Sequence, residues 1–163
     1  MEPIRRQIVD LLPRLRRFAR VLARDPADAD DLVQTTVERA LTRAGQWIPG
    51  TRLDSWTFRI MKNAWIDETR ARSRRGKVFA PDEEGEHIGF DGGAAMQSRL
   101  EAAEVERAMA RLPDDQRLAV ALVLVEGLSY KDAAEVLEIP QGTLTSRLVR
   151  GRAALISQLE KVH

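Results

Sequence analysis

The stretch LSYKDAAEVLEIPQGTLTSRLVRGRAAL, Leu128 to Leu155, reads as two helices joined by a tight turn, and its reading decides the fold class. Ser129 and Asp132 have capping-box spacing at the head of a short helix whose Ala133, Ala134, Val136, Leu137 and Ile139 face inward. Pro140, Gln141 and Gly142 force the turn. A second helix follows from Thr143, with Leu144, Leu148, Leu155 and Leu159 as its buried stripe and Arg147, Arg150 and Arg152 exposed. A basic second helix after a short Gly-containing turn suits entry into a DNA major groove, where Arg contacts guanine edges and phosphates. Taken alone, the same pattern also describes a helical hairpin with solvated arginines.

The chain before this stretch is helical too. Ser98 and Glu101 have the spacing of a capping box at the start of a helix that Leu112 and Pro113 end, and Asp114 to Val125 forms another. Residues 76 to about 97 carry Pro81, five glycines and the acidic group Asp82, Glu83, Glu84 and Glu86 without an apolar period, the composition of a flexible linker. Upstream, Asp54 can cap a helix from Ser55 to about Arg75. Phe58, Ile60, Met61, Ala64 and Trp65 share one side of it; Arg59, Lys62, Asn63, Asp67, Arg70 and Arg74 share the other. Gln46 to Leu53 is a loop.

Further upstream, Asp25 caps a helix that begins with Pro26 and buries Ala29, Leu32, Val33, Thr36, Val37, Ala40 and Leu41. Ile4, Ile8, Leu11, Leu15, Phe18 and Leu22 line one face of the first helix, which Pro13 is expected to kink or divide. The result is an all-α chain of two small helical domains. The boundaries are residues 1–76, a flexible acidic linker at 77–97, and 98–163.

Composition excludes several function classes. The 163 residues include no Cys and only two His, His87 and His163, so disulfides, thiolate metal sites and histidine metal clusters are not expected. No Walker loop, dinucleotide fingerprint or nucleophile-base pair occurs, so neither catalysis nor a cofactor is expected. The longest apolar run, Leu118 to Val125, is too short to span a bilayer, and the chain reads as cytoplasmic without membrane insertion. Its net charge of +1 hides a segregation: residues 1–80 carry +7, residues 81–100 carry −4 and residues 101–163 carry −2. A basic first half implies a polyanionic partner.

Three blocks, in order, resemble the extracytoplasmic-function sigma factors of the sigma-70 family, and together they span nearly the whole chain. DADDLVQTTVERAL, Asp28 to Leu41, is similar to the family's polymerase-binding helix. SWTFRIMKNAWIDETRARSRR, Ser55 to Arg75, resembles its promoter-melting helix, with Trp56, Ile60, Asn63, Asp67 and Arg70 matching. The segment from Leu112 to Leu155 resembles its carboxy-terminal helix-turn-helix. The resemblance implies that the two domains are sigma-2 and sigma-4.

It also implies a division of labour. Asp28, Asp31, Leu32, Gln34 and Glu38 would bind core RNA polymerase. The Gln46 to Leu53 loop with Trp47, Trp56, Arg59, Lys62, Asn63 and Arg70 would meet the minus-ten promoter element, where a flipped base is pocketed and cations hold the phosphates. Trp47 and Trp56 can stack on bases or fill the core; Trp65 is assigned to the core. Thr143, Thr145, Ser146, Arg147, Arg150 and Arg152 would meet the minus-thirty-five element, although Thr145 stands where the family commonly has a basic residue. Gly151 is unexpected inside a helix. The implied partners are core RNA polymerase, promoter DNA and an anti-sigma protein. The alternative is a sigma-like mimic that sequesters an anti-sigma protein without binding promoter DNA.

Overall fold

The apolar stripe of the first helix is the seed of the architecture. In the computed structural model, which describes residues 2–74 and 93–162, α1 (Glu2–Leu22) buries Ile4, Ile8, Leu15, Phe18 and Leu22. Pro13 lies on its exposed side, and the helix runs through it without dividing. Helix α2 (Pro26–Thr42) starts as expected: the Asp25 carboxylate accepts from the Asp28 N–H at 3.3 Å, and Pro26 needs no donor at the first position. A short 3-10 turn, Ala44–Gln46, opens the loop, and Gly50 takes φ +96°, a conformation that side chains resist. Helix α3 (Leu53–Arg74) begins two residues earlier than expected, so Asp54 sits in its first turn, where its Oδ1 accepts from the Ser55 N–H at 2.7 Å. Phe18 and Phe58 meet edge to face, centroids 5.1 Å apart, and join α1 to α3.

The second half contains α4 (Gly93–Ala110), α5 (Asp114–Val120), α6 (Tyr130–Leu137) and α7 (Gln141–Val162). Helix α4 starts before Ser98, so Ser98 is not its cap. Asp114 to Val125 is not a single regular helix: after α5 the backbone widens into a π turn, Ala121–Val125, and the Glu126 N–H reaches back to Ala121 O at 2.9 Å. Ser129 caps α6, its Oγ accepting from the Asp132 N–H at 3.0 Å. The reversal between α6 and α7 falls at Glu138, with φ 59°, and Gly142 already lies inside α7. Gly151 has a packing reason: a Cβ there would stand 2.8 Å from Val120 Cγ2 and 3.1 Å from the Gln116 carbonyl. It lets α7 approach α5 closely.

All described regular elements are helical, as expected. The two halves do not stand apart. One continuous core links Phe18, Leu22, Phe58 and Met61 to Met109, Leu112, Leu118, Leu122 and Val136. A smaller cluster of Ile4, Ile8, Ala40, Leu53 and Ile60 is edged by Trp47 and Trp56. Each half alone would have a thin core, and mutual packing enlarges it. The acidic group Asp82, Glu83, Glu84 and Glu86 lies outside the described residues.

Candidate nucleic-acid interface

Three surfaces carry the residues singled out from the sequence. On α2, Asp31, Gln34 and Glu38 are exposed along one face. Asp28, at its edge, pairs with Arg72 of α3 at 3.0 Å. Leu32 departs from its expected role as a contact residue: it is buried in the main core and supports the face from beneath.

On α3, the expected basic face is only partly open. Arg59 and Arg70 are exposed and Asn63 is half-buried, but Lys62 is only 5% exposed, and its Nζ lies 3.3 Å from Glu138 Oε1. Trp47 and Trp56 pack against the smaller core cluster, and Trp65 against the main core. With Gln46, Arg52 and Arg59, those first two tryptophans line a cleft of about 410 Å³ whose far wall is Lys131, Asp132 and Glu135 of α6. Trp47 Nε1 and Ser55 Oγ are buried there without a protein partner. The first helix of the helix-turn-helix therefore stands across the loop and α3.

On α7, Ser146, Arg150 and Arg152 are exposed, and Thr143, Thr145 and Arg147 are half-buried. Thr145 turns its hydroxyl back, donating to Gln141 O at 3.0 Å. Arg147 Nε is 3.6 Å from Asp115 Oδ2. Among the described residues, none of these side chains has a hydrogen bond or ion pair to the first half.

Residues not singled out as site residues hold the halves together. Glu126 is buried, and its carboxylate takes two 2.8 Å hydrogen bonds from Arg17 and one of 3.2 Å from Arg14. The Glu126 hydrogen bonds raise the Arg17 guanidinium above its ordinary pKa against the opposing effect of burial. Arg14 also donates to Glu126 O at 3.1 Å and to Asp54 at 3.1 Å, and stacks over Phe58 at 5.2 Å. Burial pushes the Asp54 carboxyl up, but hydrogen bonds from Arg52, the Ser55 N–H and Arg14 together hold it below the ordinary carboxylate value. Arg52 reaches on to Asp132 at 3.8 Å. Buried Arg117 spans the same seam, donating to Val21 O and Leu112 O at 3.0 Å each and to Asp114 at 2.7 Å. The i, i+3 spacing of Arg14 and Arg17 was a signal that they share a helix face, but nothing local pointed to Glu126.

Residues 102–155 match the family described as sigma-70, region 4, and residues 8–62 match the one described as the Sigma2 domain of PhyR. The chain is 35% identical to the ECF RNA polymerase sigma factor EcfG of Rhodopseudomonas palustris over 159 residues, 97% of this chain and 86% of that one. It is 37% identical to the ECF RNA polymerase sigma factor SigM of Mycobacterium tuberculosis over 142 residues, 86% of this chain and 69% of that one. Among solved structures, the sigma factor RpoE in complex with the anti-sigma factor NepR from Bartonella quintana matches with a TM-score of 0.83, at 28% identity and over 98% of both chains.

Proposed function

The chain belongs to the extracytoplasmic-function RNA polymerase sigma factors, and we propose that its surfaces divide the work of starting transcription. As a sigma factor it binds core RNA polymerase, recognises promoter DNA and promotes strand opening. Asp28, Asp31, Gln34 and Glu38 dock on the polymerase. The 46–53 loop with Trp47, Trp56, Arg59, Lys62, Asn63 and Arg70 takes the minus-ten element. Helix α7 takes the minus-thirty-five element through Thr143, Thr145, Ser146, Arg147, Arg150 and Arg152. Residues 1–76 act as the sigma-2 domain and 98–163 as the sigma-4 domain, with 77–97 between them as the tether, whose last residues, from Gly93, already belong to α4.

The observation that carries this reading is the helix-turn-helix itself: α6 and α7 are joined at Glu138, and Ser146, Arg150 and Arg152 project free from the second helix. Opening requires no chemistry by the protein. Unpaired bases and their phosphates bind the loop and α3 better than stacked duplex does, so binding shifts the equilibrium toward the open strand. No described helix is long and apolar enough to cross a membrane, and the site of action is the cytoplasm, where polymerase and promoter are found. The Bartonella quintana relative is bound by an anti-sigma factor, and a protein of that kind is the inhibitor this chain answers to. Run-off transcription with purified core polymerase on a promoter library tests the reading. Transcripts that depend on the chain support it, and none from any promoter overturns it.

A further inference from the structure

We propose that Arg52 is a phosphate-binding residue of the minus-ten loop and that Asp54 positions it, holding the guanidinium so that one edge is free to take a backbone phosphate of the captured strand. This rests on the assignment of the minus-ten surface above and adds two residues to it. The main chain is fixed first. Pro49 and Gly50 make a tight turn, Gly50 with φ +96°, and the Thr51 N–H and hydroxyl both donate to Ile48 O, at 3.1 Å and 2.6 Å. Arg52 follows at once, and its carbonyl accepts from the Trp56 N–H at 3.2 Å, which ties it to the first turn of α3. The loop therefore ends on an arginine whose backbone is held from both sides.

The side chain is fixed next. Asp54 is buried, and its two oxygens accept from Arg52 Nε at 3.0 Å and Arg52 Nη2 at 2.5 Å. This is the fork in which a planar guanidinium and a carboxylate set each other's orientation. Asp54 is itself pinned, because it accepts from the Ser55 N–H at 2.7 Å and from Arg14 at 3.1 Å, and Arg14 lies over the Phe58 ring. Arg14, Arg52, Asp54 and Phe58 all belong to the first half, so the fork does not depend on where the second half sits. It also uses only one edge of the guanidinium. Arg52 Nη1 faces Asp132 at 3.8 Å, beyond hydrogen-bond reach, and 54% of the Arg52 side chain is in solvent. Arg52 and Arg59 both border the cleft that Trp47 and Trp56 line. A base held against those rings brings its own phosphate to the border, and an arginine already oriented takes that phosphate with little further loss of side-chain freedom.

A methylphosphonate scan on the holoenzyme tests this. The full chain with core polymerase binds promoter DNA whose minus-ten segment is already unpaired, and each phosphate of the non-template strand there is neutralised in turn. With the wild type, neutralising one phosphate should weaken binding about tenfold, the size of one charge-assisted contact, and its neighbours should matter less. Arg52→Ala should abolish that peak. Asp54→Asn keeps the arginine and the size of the side chain beside it, but the fork is lost, and the peak should flatten over neighbouring phosphates. Arg52→Lys, which keeps the charge without the planar fork, should flatten it likewise. Each reading is a ratio within one variant, so a change in net charge or in stability does not imitate it. No peak in the wild type, an unchanged peak in Arg52→Ala, or a peak that stays sharp in Asp54→Asn overturns the proposal. Arg59→Ala separates the two assignments. If it weakens binding while Arg52→Ala changes neither affinity nor scan, the minus-ten surface stands and Arg52 is no part of its phosphate contacts; if neither substitution weakens binding, the minus-ten assignment falls and the proposal with it.

Discussion

Arg17 holds Glu126 by two hydrogen bonds of 2.8 Å across 109 positions of sequence, fastening the first helix to the turn before the helix-turn-helix. Glu126 is buried whereas half of the Arg17 side chain is in solvent, so the pair lies between the weak surface case and the buried one. Removing one partner should destabilise the chain by about 1–3 kcal/mol, less than the loss of a fully buried ion pair. A double-mutant cycle with Arg17→Ala and Glu126→Ala in urea denaturation should return a coupling energy well above zero. Additive effects would mean the hydrogen bonds contribute nothing to joining the halves.

Gly151→Ala sets two effects against each other. Alanine favours a helix by about 1 kcal/mol over glycine. The new Cβ, however, would meet Val120 and the Gln116 carbonyl at 2.8 Å and 3.1 Å, and the carbonyl belongs to helix backbone that cannot turn aside. Overpacking of this kind costs about 1–3 kcal/mol, so the variant should melt at a lower temperature than the wild type. A higher melting temperature would show that α7 can back away from α5.

Much of this architecture was legible because it is written locally. The stripes of α1 and α2 and the caps at Asp25 and Ser129 depend on residues within a turn or two of each other, and each lies where the spacing puts it. The identity of the seam was not legible. Lys62 has the helical phase of a solvated residue, yet it is buried and pairs with Glu138 from 76 positions away. Glu126 follows an apolar run and reads as a surface acid until Arg14 and Arg17 are placed beside it. Gly151 offends helix propensity, and its justification is a neighbouring helix. Long-range ion pairs leave no period in a sequence.

Acid should loosen the same seam. Hydrogen bonds from Arg52, Ser55 and Arg14 outweigh the upward push of burial and hold Asp54 below the ordinary carboxylate pKa. A depressed folded pKa gives stability that is complete above the unfolded value, about 3.9, and is lost as pH falls through the lower folded value. Stability measured by denaturant titration should therefore decline below about pH 4, and Asp54→Asn should flatten part of that decline. An unchanged acid limb in Asp54→Asn would show that the carboxylate is not held in its charged form.

Arg150 should separate base reading from phosphate anchoring on α7. If it contacts a base edge, Arg150→Ala weakens promoter binding by the holoenzyme by about 1–3 kcal/mol and relaxes preference at one minus-thirty-five position. If it contacts phosphate, the loss is uniform across sequences and the salt dependence becomes shallower. No change at any salt concentration would remove α7 from the recognition role.

The central claim is that this chain, with core polymerase, opens promoter DNA by capturing minus-ten bases on the 46–53 loop and α3. Permanganate reactivity of minus-ten thymines measures that opening directly. Wild-type holoenzyme should make these thymines reactive on duplex promoter, and Arg59→Ala should reduce the signal. A premelted minus-ten bubble should partly restore the variant's productive complex, because unpairing, at a few kcal/mol per flipped base, has been removed from its task. An Asp31→Ala variant, impaired in polymerase docking, should not be restored. Unreactive thymines with the wild-type holoenzyme across a broad promoter library, beside tight binding to an anti-sigma protein, would contradict the account and identify the chain as a mimic.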